Sequence, residues 1–252
     1  MERKKFEQLV TTNNAVPLTG GWMVFNDLEM FNLCTRKSVQ YDSFEDLYQH
    51  NLGNETVGEY VDKTDELYFQ FLGGRGASSD RIGGGFGHAT SYGPDDSRER
   101  FPSELNVGGR YQDYNGTLSE FSRRYSTQDH EFGITVDSQG FVTQHIEGGK
   151  SEVRVNALAN QMVIHNHPSG SNFSDTDLIS TASSRSSGVV AVGRDNTYTF
   201  RKGRDFNAKG FIKAVGQAKW PARMDYNTGA DWWLKRNAKK YGYTYSVSRT
   251  AA

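Results

Sequence analysis

The chain has little of what stabilises secreted proteins or anchors membrane proteins. Cys34 is its one cysteine, which excludes an intrachain disulfide and any cysteine-rich zinc site. Its apolar runs fall far short of the ~18 residues needed to span a bilayer. Residues 1–6 are charged and lack the apolar core of a signal peptide. The sequence therefore predicts a cytoplasmic protein with no membrane partner.

What the chain does have is a close group of metal-binding side chains after a short apolar segment, residues 161–164. Alternate residues of a strand project from one face, so His165 and His167 are predicted to point the same way. Ser174 is predicted to cap a helix, with Asp177 closing a capping box. A capping box formed by Ser174 and Asp177 requires no metal by itself. The helix would, however, also bring the Asp177 side chain back close to the end of the strand. Two imidazoles, one carboxylate and an open fourth position are typical of catalytic zinc, so the predicted cofactor is Zn2+.

At these residues the chain resembles a known family. The pattern His-x-His-Pro followed by Ser-x-x-Asp is similar to the signature of the JAMM (MPN+, JAB domain) zinc metalloproteases. The local sequence HNHPSG, residues 165–170, is most similar to RadC-like and bacterial or phage JAB members. The resemblance covers residues 129–204 and implies that His165, His167 and Asp177 bind zinc. It also implies that Ser174 assists the oxyanion and that an upstream glutamate is the general acid/base.

The upstream glutamate of this family lies at the head of an apolar strand, and Glu131 opens such a segment at residues 131–136. The role favours a partly desolvated carboxylate that takes a proton from water and passes it to the leaving amine. Glu147 and Glu152 also precede the histidines and stay open as alternatives. Glu147 adjoins two glycines, which is typical of a turn, and Glu152 alternates with valines, which is typical of an exposed face. The predicted acid/base is Glu131.

The segments around the motif predict an α/β fold with a mixed β-sheet flanked by helices. A helix is predicted over residues 175–187, ended by Gly188, with strands at residues 189–192 and 197–202. Upstream, the pattern predicts a hairpin with its turn at residues 137–140. The resemblance implies a JAMM, cytidine-deaminase-like core for this sheet.

Three regions are predicted along the chain. Residues 121–205 form the JAMM-like metalloprotease core. Residues 1–120 form an additional N-terminal α+β region with a Gly/Ser-rich loop at residues 73–94, which matches neither common phosphate-binding motif. Residues 206–252 form a basic, aromatic C-terminal extension.

The total charge of −1 hides an uneven distribution. Residues 201–252 hold twelve Lys or Arg and three Asp, a net charge of +9, so residues 1–200 carry −10. Tryptophans and tyrosines lie among these basic residues. Such a segment binds single-stranded nucleic acid, recognises an acidic protein partner, or packs against the acidic remainder of the chain, and all three interpretations stay open.

These features together predict a zinc-dependent metallopeptidase that hydrolyses peptide or isopeptide bonds with a zinc-activated water. Its partner would be a protein or peptide substrate, and the resemblance makes ubiquitin-like conjugates one such class. One alternative is a RadC-like, DNA-associated protein that uses the basic extension. The other is a non-catalytic interaction module that keeps the metal site without turnover.

Overall fold

The computed structural model describes residues 3–51, 69–72 and 105–251, so the predicted Gly/Ser-rich loop at residues 73–94 lies outside the described residues. Helices and strands follow one another along this part of the chain. In order they are α1 (Arg3–Thr12), β1 (Ala15–Pro17), β2 (Trp22–Phe25), β3 (Glu29–Asn32), β4 (Ser38–Gln40), α2 (Phe44–Asn51), β5 (Phe69–Leu72), α3 (Tyr114–Tyr125), β6 (Phe132–Val136), β7 (Val142–Glu147), β8 (Glu152–Val155), β9 (Met162–Asn166), α4 (Asp175–Ser183), β10 (Gly188–Val192), β11 (Asn196–Lys202), α5 (Ala208–Val215), α6 (Tyr226–Tyr241) and β12 (Tyr243–Arg249).

The largest sheet has the strand order β12-β11-β10-β9-β6-β7. Strands β9 and β10 run parallel, while the other neighbours run antiparallel. A parallel pair needs a crossover connection, and α4 supplies it between β9 and β10. The predicted mixed sheet flanked by helices is thus confirmed. Two smaller antiparallel sheets, β1-β2-β3-β4 and β5-β8, accompany it.

Both faces of the central strands are buried. On one face, Ile164 of β9 and Val190 of β10 belong to a cluster with Phe121 and Tyr125 of α3. The opposite face, with Val163 and its alternate neighbours, belongs to the larger core that includes α4, α5 and α6. The sequence of a strand that is buried on both faces is a continuous apolar run, and residues 162–164 before the histidines are such a run.

The predicted hairpin is confirmed as β6 and β7, which pair with a register shift at Thr135 and Val136. The side chain of Asp137 accepts hydrogen bonds from the backbone N–H groups of Gln139 and Phe141, at 2.9 Å each. Gly140 has a φ of +93°, a left-handed conformation that favours glycine. The residues that predicted a turn at 137–140 therefore form the turn that closes the hairpin.

Helix α4 ends at Ser183, earlier than predicted, and Gly188 is the first residue of β10 rather than the residue that stops the helix. The hydroxyl of Ser184 hydrogen-bonds the carbonyl of Thr181 and the hydroxyl of Ser186, at 3.0 and 2.8 Å. Serine side chains that bond nearby backbone compete with helical hydrogen bonding. This competition ends the helix before the glycine is reached.

The C-terminal residues complete the main sheet. Strand β12 pairs with β11 along its whole length, from Tyr243 to Arg249. Behind the sheet, Phe211 of α5 is fully buried with its ring centroid 5.2 Å from those of both Phe200 and Tyr243. Many aromatic side chains predicted to lie in a basic extension thus pack against the core. Within the described part of the chain, none of the helices combines the length and the apolar composition that a bilayer span needs.

An ion-pair cluster connects the β1-β2-β3-β4 sheet to α5. Glu29 of β3 pairs with Lys209 and Lys213 of α5. Burial raises the pKa of Glu29, but hydrogen bonds from the two lysines outweigh it and lower the pKa from 4.5 to about 2. Because the folded-state pKa lies below the unfolded one, Glu29 stabilises the fold above about pH 4.5, and that contribution is lost as the pH falls through about 2.

We therefore expect Glu29→Gln to lower the free energy of unfolding by about 1–2 kcal/mol near pH 7, a value reduced for solvent screening of the lysines. Urea unfolding of the variant and wild type at pH 7, 4 and 3 measures the difference. It should shrink as the pH falls through this range. A difference that stays constant with pH would assign the loss to packing rather than to charge.

Candidate metal centre

Strand β9 delivers two imidazoles to one place. His165 lies within β9 and His167 directly follows its last residue, Asn166, so both imidazoles project from the same face. Their Nε2 atoms approach to 2.8 Å, and both side chains are fully buried. The expected i, i+2 geometry thus brings two potential metal ligands together inside the protein.

The first turn of α4 delivers the third side chain. Ser174 caps the helix and its Oγ accepts from the backbone N–H of Asp177 at 3.0 Å. The Asp177 carboxylate in turn accepts from the Ser174 N–H at 2.7 Å, so the predicted capping box is confirmed. This box fixes the carboxylate with its oxygens 3.5 Å from the Nε2 atoms of His165 and His167. Capping and metal ligation are therefore compatible roles for one side chain.

The separations suit a tetrahedral zinc ion. Zinc bonds of about 2.0–2.1 Å place two tetrahedral ligand atoms about 3.4 Å apart. The three ligand atoms lie within 4.8 Å of one another. The Nε2 atoms of the two histidines lie 2.8 Å apart, which is shorter than this value, and each lies 3.5 Å from a different oxygen of the Asp177 carboxylate. Two nitrogens and one oxygen form a donor set that zinc prefers in proteins.

The surroundings keep these groups in their metal-binding forms. Nδ1 of His167 lies 2.8 Å from the carbonyl oxygen of Ser171, to which it donates, so Nε2 is the ring nitrogen left to bind a metal. Burial lowers the pKa of His165 although Asp177 acts in the opposite direction. Burial alone would raise the pKa of Asp177, but the two adjacent histidines hold it well below its ordinary value. Neutral imidazole and ionised carboxylate are the forms that bind zinc.

Glu131 lies at the same face of the sheet. In the pairing of β6 with β9, Gly133 is opposite His165, and continuing this register by two residues places Glu131 opposite His167. The Glu131 side chain is fully buried. A Cβ atom at Gly133 would come within 3.0 to 3.1 Å of two valine side chains of β8, so this glycine admits the close approach of β8 beside the site.

The competing glutamates occupy different positions. Glu147 ends β7 opposite Phe132, which places it on the other face of β6 from Glu131, and it is exposed. Glu152 begins β8 and is partly exposed. Of the three glutamates, Glu131 alone is fully buried and registered with the histidine pair.

Sequence reasoning assigned no role to Asn166, which lies between the two histidines. Its side-chain oxygen accepts from the N–H of Phe132 at 2.6 Å, and its nitrogen donates to the carbonyl of His130 at 2.7 Å. These bonds fasten the end of β9 to the start of β6, beside Glu131. An asparagine at the end of a buried strand was the available signal, because a buried amide requires partners.

Comparison with family models, with curated proteins and with solved structures gave no match to this chain. The geometry of the site is therefore the basis for inferring a function. A buried His-His-Asp group beside a buried carboxylate can hold a divalent cation and exchange a proton next to it.

Proposed function

We propose that this protein is a zinc-dependent hydrolase of peptide or isopeptide bonds, of the JAMM type. The observation that carries the proposal is the convergence of His165, His167 and Asp177, all fully buried, on the face of the sheet where Glu131 directly precedes β6. The proposal includes a JAMM, cytidine-deaminase-like core over residues 121–205. Its substrate would be a protein or peptide, with ubiquitin-like conjugates as one class to test.

Zinc held by His165, His167 and Asp177 would polarise the scissile carbonyl and lower the pKa of water. In this scheme the Glu131 carboxylate takes a proton from the attacking water and delivers it to the leaving amine. Ser174 Oγ already accepts from the backbone N–H of Asp177, which leaves the hydroxyl hydrogen to donate to the developing oxyanion.

We expect Glu131→Gln to lower kcat/KM by about 100-fold or more, because general acid–base catalysis contributes on this scale, while zinc content stays unchanged. The measurement is cleavage of a peptide and isopeptide panel, including ubiquitin-like conjugates, with zinc determined on the same samples. Glu152→Gln is the matched control and should retain the wild-type rate. A Glu131→Gln protein that cleaves at the wild-type rate would show that the acid/base is another residue.

A second proposal concerns partners of α6. Four cationic residues of this helix are exposed, Lys235, Arg236, Lys239 and Lys240. Trp232 beside them is 36% exposed, with the guanidinium of Arg236 5.5 Å from its ring centroid. This surface favours an acidic partner, either protein or nucleic acid, and a RadC-like association with DNA would use it. DNA binding that weakens steeply as the salt concentration rises would identify nucleic acid as the partner.

A protein that binds one zinc ion per chain but cleaves no member of the peptide and isopeptide panel would favour the non-catalytic module.

A further inference from the structure

The loop between the second histidine and α4 carries two supports of the metal centre. Its Ser171 carbonyl accepts from Nδ1 of His167, and its Ser174 fixes the carboxylate of Asp177. The two residues between these supports, Asn172 and Phe173, are both fully buried. Contacts that hold Asn172 and Phe173 in place therefore affect the positions of both His167 and Asp177.

Asn172 is held by groups distant in sequence. Its backbone N–H donates to the side-chain oxygen of Asn227 at 2.7 Å. Its side-chain nitrogen donates to the hydroxyl of Tyr245 at 2.6 Å. Asn227 lies in the first turn of α6 and Tyr245 in β12, so both contacts come from the C-terminal extension.

Phe173 is held from the same direction. The hydroxyl of Tyr226 donates to its carbonyl at 2.6 Å. Its ring also packs edge-on against Tyr198 and Tyr245, with centroid distances of 6.3 and 6.4 Å. Three hydrogen bonds and an aromatic cluster thus hold these two residues in place.

We infer that Tyr226, Asn227 and Tyr245 are positioning residues for the metal centre: through Asn172 and Phe173 they hold the loop that orients His167 and Asp177. The inference deepens the proposed function, since it rests on the same metal site. It assigns to the C-terminal extension the role of setting metal affinity. Outer partners of metal ligands typically change metal affinity by 10- to 100-fold when they are removed.

The test measures zinc affinity of the full-length protein by competition with a chromophoric chelator, and the absorption spectrum of the cobalt(II)-substituted protein. Tyr245→Phe and Asn227→Ala should each weaken zinc binding by about 10-fold or more and alter the cobalt spectrum. Asn227→Asp keeps an oxygen that accepts from Asn172 and should restore the affinity.

Tyr243→Phe is the matched control for a merely structural role. The Tyr243 hydroxyl is also buried in the extension and donates to a backbone carbonyl, that of Leu234, at 2.6 Å, but it does not touch the metal loop. This variant should lose a similar amount of thermal stability and keep its zinc affinity. If Tyr245→Phe and Asn227→Ala bind zinc as tightly as Tyr243→Phe, the inference is overturned.

The outcomes separate this inference from the proposed hydrolase. A wild-type protein that binds no zinc overturns both. A wild type that binds zinc and cleaves no substrate counts against the hydrolase, while weakened binding by Tyr245→Phe and Asn227→Ala still supports the positioning role. Binding unchanged in those variants of an active enzyme overturns the positioning role alone.

Discussion

Wild-type protein purified with zinc is expected to contain about one zinc ion per chain, and the double variant His165→Ala/His167→Ala none. Two of the three buried ligand atoms are lost in the variant, and a single remaining carboxylate cannot hold zinc against water. Affinity should fall by more than about 1,000-fold, given the size of zinc-binding free energies in proteins. Elemental analysis of both proteins, after gel filtration in chelator-free buffer, measures the difference.

A histidine on the other side of the same sheet provides the control. His145 of β7 pairs with Ile134, and its Nε2 lies 2.9 Å from the hydroxyl of Tyr125, away from the metal face. His145→Ala should therefore retain full zinc content. A folded wild type without stoichiometric metal after zinc is supplied would remove the basis of the hydrolase proposal.

Asp177→Asn separates the two roles of this side chain. An amide oxygen can still accept from the Ser174 N–H, so the helix cap is preserved. The negative charge and a good zinc ligand are lost. We expect the variant to remain folded when zinc is absent, at a lower unfolding temperature because the contacts of the carboxylate with the two histidines are lost, and to bind zinc far more weakly. Equal zinc affinity would mean that Asp177 is only a capping residue.

The parts of this site that sequence reasoning could predict depend on local geometry. The period of a strand relates His165 to His167, and the Ser-x-x-Asp spacing relates Ser174 to Asp177. Both relations hold whatever surrounds them. By contrast, distinguishing the positions of the three glutamates required the register of β6 against β9, which pairs residues as far apart in sequence as Gly133 and His165.

Tertiary contacts explain the rest of what could not be predicted. No local pattern connects Tyr245 with Asn172, because the bond between them depends on how β12 and the metal loop meet. The end of α4 was misplaced because the serines after Ser183 bond to one another instead of continuing the helix. Composition showed that the extension is basic and aromatic, but it could not show which aromatic rings face inward.

Because the inward-facing rings join the extension to the core, Phe211→Ala is expected to lower the free energy of unfolding by about 3–5 kcal/mol. The ring of Phe211 is fully buried and lies between Phe200 of the sheet and Trp233 of α6, with centroid distances of 5.2 and 6.1 Å. Removing it leaves a cavity that rigid neighbours on three elements cannot fill. Urea unfolding of the zinc-free proteins measures the loss.

Trp232→Ala is the control from the same extension. Trp232 is 36% exposed, and its ring contact with Arg236 is worth about 1 kcal/mol or less. The two aromatic-to-alanine changes should therefore differ by at least about 2 kcal/mol. Equal urea midpoints would mean that the extension is not part of the cooperative core.

If the difference is found, deleting residues 205–252 must unfold the protein, because it removes β12 from the sheet and Phe211 from the core. Any function of the basic surface then has to be tested with point variants of its exposed residues.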